Sequence, residues 1–216
     1  FIGSSGTAVG QNAAATGMFS TALGGFSDGS FASAGAAGMY STALGAGAYA
    51  GSYWGSTLVG DYTTAVGAES WATGGSAPSL GYNSFAQADH ATVLGANAWT
   101  TADASNSVAL GEGSLADRAN TVSVGAAQAW TDAGGNVHAA IDRQITNVAA
   151  GTEATDAVNL AQLNEVADNL GEFTQNAVAY DDDGHSTLTL DGADGSTISN
   201  LAAGTQASDA VNVEQL

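Results

Sequence analysis

A short motif that ends in glycine recurs along the first 125 residues, and its spacing limits the fold more than any other feature of the chain. Every copy places Val or Leu directly before the glycine. The motif glycines are Gly10, Gly24, Gly45, Gly60, Gly67, Gly81, Gly95, Gly111 and Gly125. Several neighbours are 14 residues apart, as Gly10 and Gly24 are. A short fixed period indicates a solenoid, in which each repeat packs only on its neighbours.

The repeat has a half-period of seven residues, seen in the glycines from Gly3 to Gly24. This spacing does not indicate a coiled coil, because each glycine would cost a helix about 1 kcal/mol. Thr7 and Val9 are two positions apart and therefore share one face of a strand. Glycine then supplies the turn, since a positive φ costs it little. We expect two short strands and two turns in each coil.

A second pattern follows the glycine, in which a bulky residue stands between small ones. Its bulky positions are Tyr49, Trp71, Phe85, Trp99 and Leu115. The pattern predicts a second strand with a small inner face and a bulky outer face, used either for packing between coils or chains or as a ladder for binding. A narrow coil buries little inside itself, so the Val and Leu residues need another surface. We therefore expect identical chains to associate side by side.

The charge balance excludes several classes of partner. The chain has 2 Lys and Arg against 21 Asp and Glu, for a net charge of −19, and it has no cysteine. Such a surface repels nucleic acid and anionic membranes, and disulfides and thiolate metal sites are impossible. No apolar run is long enough to span a bilayer. We expect no nucleic-acid partner, no direct membrane insertion, no metal and no cofactor.

Residues 1–4 lack the charged region of a signal peptide, so the chain is expected to begin inside a folded region.

Residues 145–163 are repeated 53 positions later as residues 198–216, with 13 of 19 positions identical. Each copy predicts an extended segment that turns into a helix, because Asp156 and Asp209 lie in helix-capping sequences. An apolar stripe follows in the first copy, and Gly171 is expected to end that helix. Asn159 and Asn212 are either register-fixing polar positions or ordinary surface residues.

The segment between the two copies reads as a small β module. Residues 177–180 and 187–190 are predicted strands, with turns at 181–184 and 191–195. The aspartates of these turns form either a calcium site or, as we favour, solvated turns, because neither turn has the spacing of an EF-hand.

Taken together, these sequences resemble the trimeric autotransporter adhesins of the YadA type. Residues 106–114 (NSVALGEGS) are similar to the repeat motif of the family's head, and residues 143–159 are similar to its neck. The resemblance implies a mainly β fold: a left-handed parallel β-roll head over residues 1–142 and a first neck over 143–163. A short helical stalk (164–171), the β module (172–197) and a second neck (198–216) follow. It also implies a homotrimer, with Val158, Leu163, Val211 and Leu216 facing the trimer axis.

The same resemblance implies a function in adhesion. We therefore expect a location on the bacterial cell surface, with anchoring to the outer membrane by a C-terminal region that is expected to lie outside this chain. Repeats of the head motif are tied to collagen binding in some relatives, so Asn106, Ser107 and Ser114 are the candidate ligand-binding residues. Host cells or matrix proteins, with collagen, fibronectin and laminin as candidates, are the expected partners.

Two other classes remain as alternatives. A purely structural solenoid or spacer, like a phage fibre or an ice-binding protein, fits the repeat, but the regular Thr-x-Thr rows of ice binders are missing. A solenoid hydrolase is disfavoured. Residues 25–29 match GxSxG, but that motif needs a strand, a helix and a histidine partner. His90, His138 and His185 have no ligand spacing and are expected at the surface. The chain is therefore predicted not to be an enzyme.

Overall fold

The computed structural model describes residues 5–25, 33–51, 60–190 and 192–216. Contacts divide the chain into two compact units, Phe1–Gln144 and Ile145–Leu216. The first contains the glycine repeats, and the second contains both copies of the 19-residue repeat.

Short strands make up the first unit, two in most coils. They are β1 (Thr7–Val9), β2 (Ala14–Ala15), β3 (Thr21–Leu23), β4 (Gly35–Ala36), β5 (Thr42–Leu44), β6 (Tyr49–Ala50), β7 (Thr64–Val66), β8 (Trp71–Ala72), β9 (Pro78–Leu80), β10 (Phe85–Ala86), β11 (Thr92–Leu94), β12 (Trp99–Thr100), β13 (Val108–Leu110), β14 (Leu115–Ala116), β15 (Val122–Ser123), β16 (Trp130–Thr131) and β17 (Val137–His138). The odd-numbered strands β1 to β15 form one parallel sheet, here called the motif sheet. The even-numbered strands β2 to β14 form a second, here called the aromatic sheet.

Pairing register follows the repeat. Thr7 pairs with Thr21 in the motif sheet, and Phe85 pairs with Trp99 in the aromatic sheet. Three coils are longer than 14 residues, yet Thr42 still pairs with Thr21 and with Thr64, and Val108 still pairs with Thr92. The extra residues therefore do not shift the register, and the predicted two strands per coil are confirmed.

The interior of the roll holds small side chains. Most alanines of both sheets are fully buried, and Val93 is the largest buried side chain in the described residues. Buried hydroxyls bond to one another or to backbone: Ser79 donates to Ser84 at 2.9 Å, and Ser70 donates to the Ser79 carbonyl at 2.8 Å. These bonds offset the cost of placing polar groups between the sheets.

The end of the roll is closed by an antiparallel hairpin and an arginine. In the hairpin, β16 pairs with β17, and Trp130 lies opposite His138. The guanidinium of Arg143 donates to the carbonyls of Glu112 and Val124 and, at 3.0 Å, to Oγ of Ser114. Arg143 opens the predicted neck, but its side chain is bound to the head.

In the second unit, helix α1 covers Leu160–Asn176. Asn159 is the N-cap of this helix, because its side-chain oxygen accepts from the backbone N–H of Gln162. The side-chain oxygen of Gln162 in turn accepts from the backbone N–H of Asn159. The prediction that Gly171 ends the helix is wrong. A glycine terminates a helix by adopting a positive φ, and Gly171 does not do so. A short 3₁₀ turn, Val213–Gln215, occupies the corresponding place in the second copy.

Between residues 177 and 190 the chain contains no paired strand, so the two strands predicted there are not formed within this chain. One backbone bond, from Asp181 N–H to the Thr187 carbonyl at 2.9 Å, joins the two segments. No helix in the described residues has the length and apolar character needed to cross a bilayer.

Candidate functional site

A single turn position recurs on each coil and forms a column along one edge of the roll, here called the turn column. Its members are Phe19, Tyr40, Tyr62, Ser76, His90, Asn106 and Asn120, all with φ between 54° and 59°. The N–H of each later member donates to a carbonyl of the preceding coil, as Tyr62 does to Met39 at 2.8 Å and His90 does to Gly75 at 2.8 Å. Asparagine and histidine adopt this conformation more readily than other residues with a side chain, whereas an aromatic residue pays about 1 kcal/mol or more for it.

The turn column carries aromatic rings in three of its coils. Phe19 stacks on Tyr40 with ring centres 5.0 Å apart, and Tyr40 stacks on Tyr62 at 5.3 Å with planes 5° apart. About half of each side chain is exposed, and Tyr62 reaches 60%. Stacking repays part of the backbone cost. The sequence analysis did not single out these rings, although their 21- and 22-residue spacings repeat the motif spacing.

Asn106 belongs to the turn column and is exposed. The two hydroxyls predicted beside it lie inside the coil, where Ser107 is 1% exposed and Ser114 is 0% exposed. Ser107 donates to the Ala104 carbonyl, and Ser114 donates to the Leu110 carbonyl at 2.8 Å. This corrects the predicted set, because strand alternation directs both serines inward. Of the three residues, Asn106 alone is open to a ligand.

The outer face of the motif sheet carries a row of apolar side chains beside a row made mostly of threonines. Residues directly before motif glycines point outward, and Val9, Leu23, Leu44, Leu94 and Leu110 are 41–55% exposed. The residue before Gly60 lies outside the described residues. The alanine between the two outward residues of a strand is buried, as Ala22 and Ala43 are. The sequence predicted this alternation, which gives the roll one long apolar stripe.

The outer face of the aromatic sheet carries a second series of rings. Tyr49, Trp71, Phe85 and Trp99 follow one another with centres 6.1, 5.8 and 4.6 Å apart. Trp130 of the hairpin continues the series 5.6 Å from Trp99. These rings are half-buried, so packing between coils accounts for much of their surface.

His138 was expected at the surface, but the structure corrects this prediction. The hairpin covers its side chain, which is 12% exposed. Its imidazole stacks on Trp130 at 4.3 Å and lies 3.1 Å from the carboxylate of Asp132. Burial by itself raises the pKa of Asp132, but hydrogen bonds from Asn136, His138 and Asn83 outweigh burial and hold that pKa well below its usual range. Asp132 is therefore a buried, charged anchor for the hairpin.

Both copies of the 19-residue repeat contain the same side-chain clamp. In the first copy, the side-chain oxygen of Gln162 accepts from the Gly151 N–H at 2.9 Å, and the side-chain nitrogen of Gln162 donates to the Gly151 carbonyl at 3.1 Å. In the second copy, Gln215 exchanges the same two bonds with Gly204, at 2.8 and 2.9 Å. Asn159 donates to the Val148 carbonyl at 3.1 Å, so this asparagine holds the chain's own backbone.

A carboxylate fastens the loop of each clamp. Asp156 accepts from the backbone amides of Thr152 and Glu153, both at 3.0 Å, and these bonds lower its pKa. Asp209 accepts from Thr205 and Gln206 in the same way, and its pKa is lowered for the same reason.

The apolar residues predicted to face a trimer axis are exposed in the single chain. Val158, Leu163, Val211 and Leu216 are 68%, 59%, 56% and 96% exposed. Leu163, Val166, Leu170 and Phe173 repeat at intervals of three and four residues and form one apolar seam on α1.

The aspartates proposed as an alternative calcium site bond within their own turn. Asp182 accepts from Ser186 at 3.1 Å, and Asp181 accepts from the hydroxyl of Thr189 at 2.9 Å. In the part of the chain that the structure describes, no three His, Asp or Glu side chains gather as a metal site requires. The GxSxG string falls mostly on residues 26–32, which are outside the described residues.

Comparison with known proteins agrees with this architecture. The family model "coiled stalk of trimeric autotransporter adhesin" matches residues 144–183 and 197–216, and the model "YadA head domain repeat" matches residues 2–27, 59–77, 79–98 and 102–127. The crystal structure of the collagen-binding domain of the Yersinia adhesin YadA aligns with a TM-score of 0.59 and 30% identity. The alignment covers 76% of this chain and 75% of that one.

Two curated relatives are much longer than this chain. The trimeric autotransporter adhesin AtaA of Acinetobacter sp. strain Tol 5 is 47% identical over 83 residues, covering 35% of this chain and 2% of AtaA. The autotransporter adhesin EhaG of Escherichia coli O157:H7 is 46% identical over 76 residues, covering 34% of this chain and 5% of EhaG. The stacked coils define a solenoid head, and the residues that follow match the stalk of this class of protein. The chain belongs to the YadA-type trimeric autotransporter adhesins.

Proposed function

We propose that this chain is the head and neck of a homotrimeric adhesin on the bacterial cell surface, and that it attaches the cell to host cells or extracellular-matrix proteins without catalysing a reaction. The observation that carries the proposal is the head itself. It repeats one outward-facing surface coil after coil and aligns with the collagen-binding domain of YadA.

Assembly into a homotrimer is supported by the apolar surface that one chain leaves exposed. The stripe on the motif sheet and the seam on α1 contain Val, Leu and Phe side chains, and those of the seam are 59–69% exposed. Burying such a side chain contributes roughly 1.5–3 kcal/mol. A seam with spacings of three and four residues is the pattern that packs helices into a parallel bundle.

Attachment would follow from repetition. A repeated surface presented by three chains, and by many copies on one cell, holds a repetitive matrix fibre tightly even where each contact is weak. Within the head, Asn106 is the proposed polar contact, because it is exposed at the turn column. Ser107 and Ser114 are proposed to stabilise the coil instead of contacting the ligand. The Ser107 hydroxyl bonds to the backbone of its own coil, and the Ser114 hydroxyl accepts from Arg143. The net charge of −19 favours basic partners and predicts binding that weakens as salt rises.

The experiment is a solid-phase binding assay of the purified trimer on collagen, fibronectin and laminin, at low and physiological salt. Asn106→Ser is the test variant, because Ser76 occupies the same turn position with φ 55° and the fold should tolerate it. Saturable binding to at least one protein, weakened by the substitution, supports the proposal. Absence of binding to all three proteins and to host cells would overturn it.

A further inference from the structure

We infer that the turn column contains a slot for one arginine side chain of a basic protein partner, between the rings of Tyr62 and His90. The inference rests on the proposed adhesive function, because it names the chemistry by which the head would hold a protein. Its starting observation is an interruption in the ring stack. Phe19, Tyr40 and Tyr62 stack coil upon coil, the next coil has Ser76 at the same position, and the coil after that has His90.

The dimensions of this interruption suit one planar group. Adjacent coils of a parallel sheet are about 4.8 Å apart, and the stacked rings of the column follow that step at 5.0 and 5.3 Å. Tyr62 and His90 are two coils apart, so their ring positions are separated by about 10 Å. A planar group above Ser76 would then lie about 5 Å from each ring, in the place that a ring occupies elsewhere in the column.

Access to the slot is open on this chain. Ser76 and His90 are exposed, and Tyr62 is 60% exposed. The conformation of the serine is the one that the aromatic members of the column adopt, with φ 55° against 59° at Tyr62. The backbone at Ser76 therefore has the geometry of a ring-bearing turn but carries a side chain too small to fill it.

Negative charge lies beside the slot. A carboxylate oxygen of Asp89, the residue before His90, accepts from the Gly75 amide at 2.7 Å. A Cβ built on Gly75 would be 3.4 Å from that oxygen, so the carboxylate lies beside Gly75, the residue before Ser76. Asp61, the residue before Tyr62, makes the matching bond two coils earlier, accepting from the Met39 amide at 2.8 Å.

A guanidinium meets all these conditions. It is planar, it stacks on aromatic faces, and it donates to carboxylates in its own plane. A lysine ammonium has the charge without the plane, and an aromatic side chain has the plane without the charge. The partner is therefore a protein segment that presents arginine, which agrees with a chain that has 21 acidic and 2 basic residues.

The test compares two probes of equal charge, hexa-arginine and hexa-lysine peptides, titrated calorimetrically into the trimeric protein at physiological salt. Attraction to the overall negative charge affects both peptides alike, so the difference isolates the guanidinium. We expect the arginine peptide to bind roughly five- to tenfold more tightly, the ratio expected of a partly desolvated cation–π contact.

Three variants locate the effect. Ser76→Tyr fills the slot with the ring that the column omits, and Asp89→Asn removes the charge while its side-chain oxygen still accepts from Gly75. Both should reduce the preference for arginine to about onefold, whereas the control Ser76→Asn should leave it unchanged, because asparagine tolerates this turn. Thermal unfolding identifies any variant that fails to fold, and the remaining variants decide the test.

Equal affinity of the wild-type trimer for both peptides, or an arginine preference that survives Ser76→Tyr, would overturn the slot. The proposed adhesive function is tested independently of the slot. Loss of the preference in Ser76→Tyr with unchanged matrix binding supports the slot and shows that it is not the adhesive contact. A trimer that prefers arginine but adheres to no matrix protein or cell keeps the slot and removes the proposed function.

Discussion

Nε2 of His138 lies 3.1 Å from Oδ2 of Asp132, inside a hairpin that covers the end of the aromatic sheet. The same carboxylate oxygen accepts from the side chains of Asn136, at 2.9 Å within the hairpin, and Asn83, at 3.1 Å on the roll. Asp132 is thus the residue through which the hairpin is tied to a coil that lies 49 positions earlier in the chain.

Replacing Asp132 by alanine is expected to release the hairpin from the roll. The substitution leaves the donors of Asn83, Asn136 and His138 without their shared acceptor. Asn136 is exposed, but Asn83 and His138 are half-buried, and a buried donor left unpaired costs about 1–3 kcal/mol. Hydrogen exchange of residues 130–138 measures the loss of protection. Asp117→Ala is the control, since the Asp117 side chain is 66% exposed. Equal exchange in both variants would contradict the anchoring.

Acid is expected to release the hairpin in the same way. The folded pKa of Asp132 is held below the value of about 3.9 for a free aspartate. Its contribution to stability is therefore complete above the unfolded pKa and is lost as the pH falls below about 4, towards the folded pKa. The Trp130 indole resonance, followed by NMR from pH 7 to pH 2, reports this change. Asp132→Asn should flatten the profile below pH 4, and an unchanged profile would refute the assignment.

Much of the head was predictable because its period acts locally. The 14-residue spacing brings equivalent positions side by side, and the alternation of small and large residues then decides which side chain faces inward. Ser107 and Ser114 follow that alternation, yet the sequence analysis assigned them to a ligand because it matched a motif instead of tracing the strand.

Long-range contacts account for the rest. Asp132 and Asn83 have no repeat relationship, so no pattern joins them. The segments at 177–180 and 187–190 have strand-like composition, but pairing needs a partner strand, which composition does not provide. Gly171 was expected to stop α1, although a glycine stops a helix only when the backbone turns there.

The motif glycines are expected to tolerate no side chain. Gly81 has φ +144°, and a Cβ added to it would overlap the backbone carbonyl of Gly95 in the next coil. Gly81→Ala should destabilise the head by at least 2 kcal/mol, because backbone strain and steric overlap act together. Denaturant unfolding followed by far-UV circular dichroism measures the change. A variant as stable as the wild type would show that the coils are not stacked at this distance.

At Gly171 the opposite result is expected. This glycine lies within α1, its φ is not positive, and a Cβ added to it would meet nothing within 4 Å. Gly171→Ala should stabilise the helix by up to about 1 kcal/mol per chain, the difference in helix propensity between the two residues. Thermal unfolding of the protein, followed by circular dichroism at 222 nm, measures the gain. A helix that ended at Gly171 would give no gain or a loss.

The neck gives the sharpest test of assembly. Val158 and Leu163 are 68% and 59% exposed in the single chain, and the proposed trimer places both against the axis. Replacing both with aspartate would bring six unpaired charges to that axis, and each uncompensated buried charge costs several kcal/mol. The trimer should dissociate, which light scattering at micromolar concentration detects.

The matched control is Ala161→Asp with Asn164→Asp, which adds equal charge on the other side of α1. The second copy already has Glu214 at the position equivalent to Ala161, so an acidic residue is tolerated there. A seam variant that remains trimeric with an unchanged melting temperature would refute the axial placement of Val158 and Leu163.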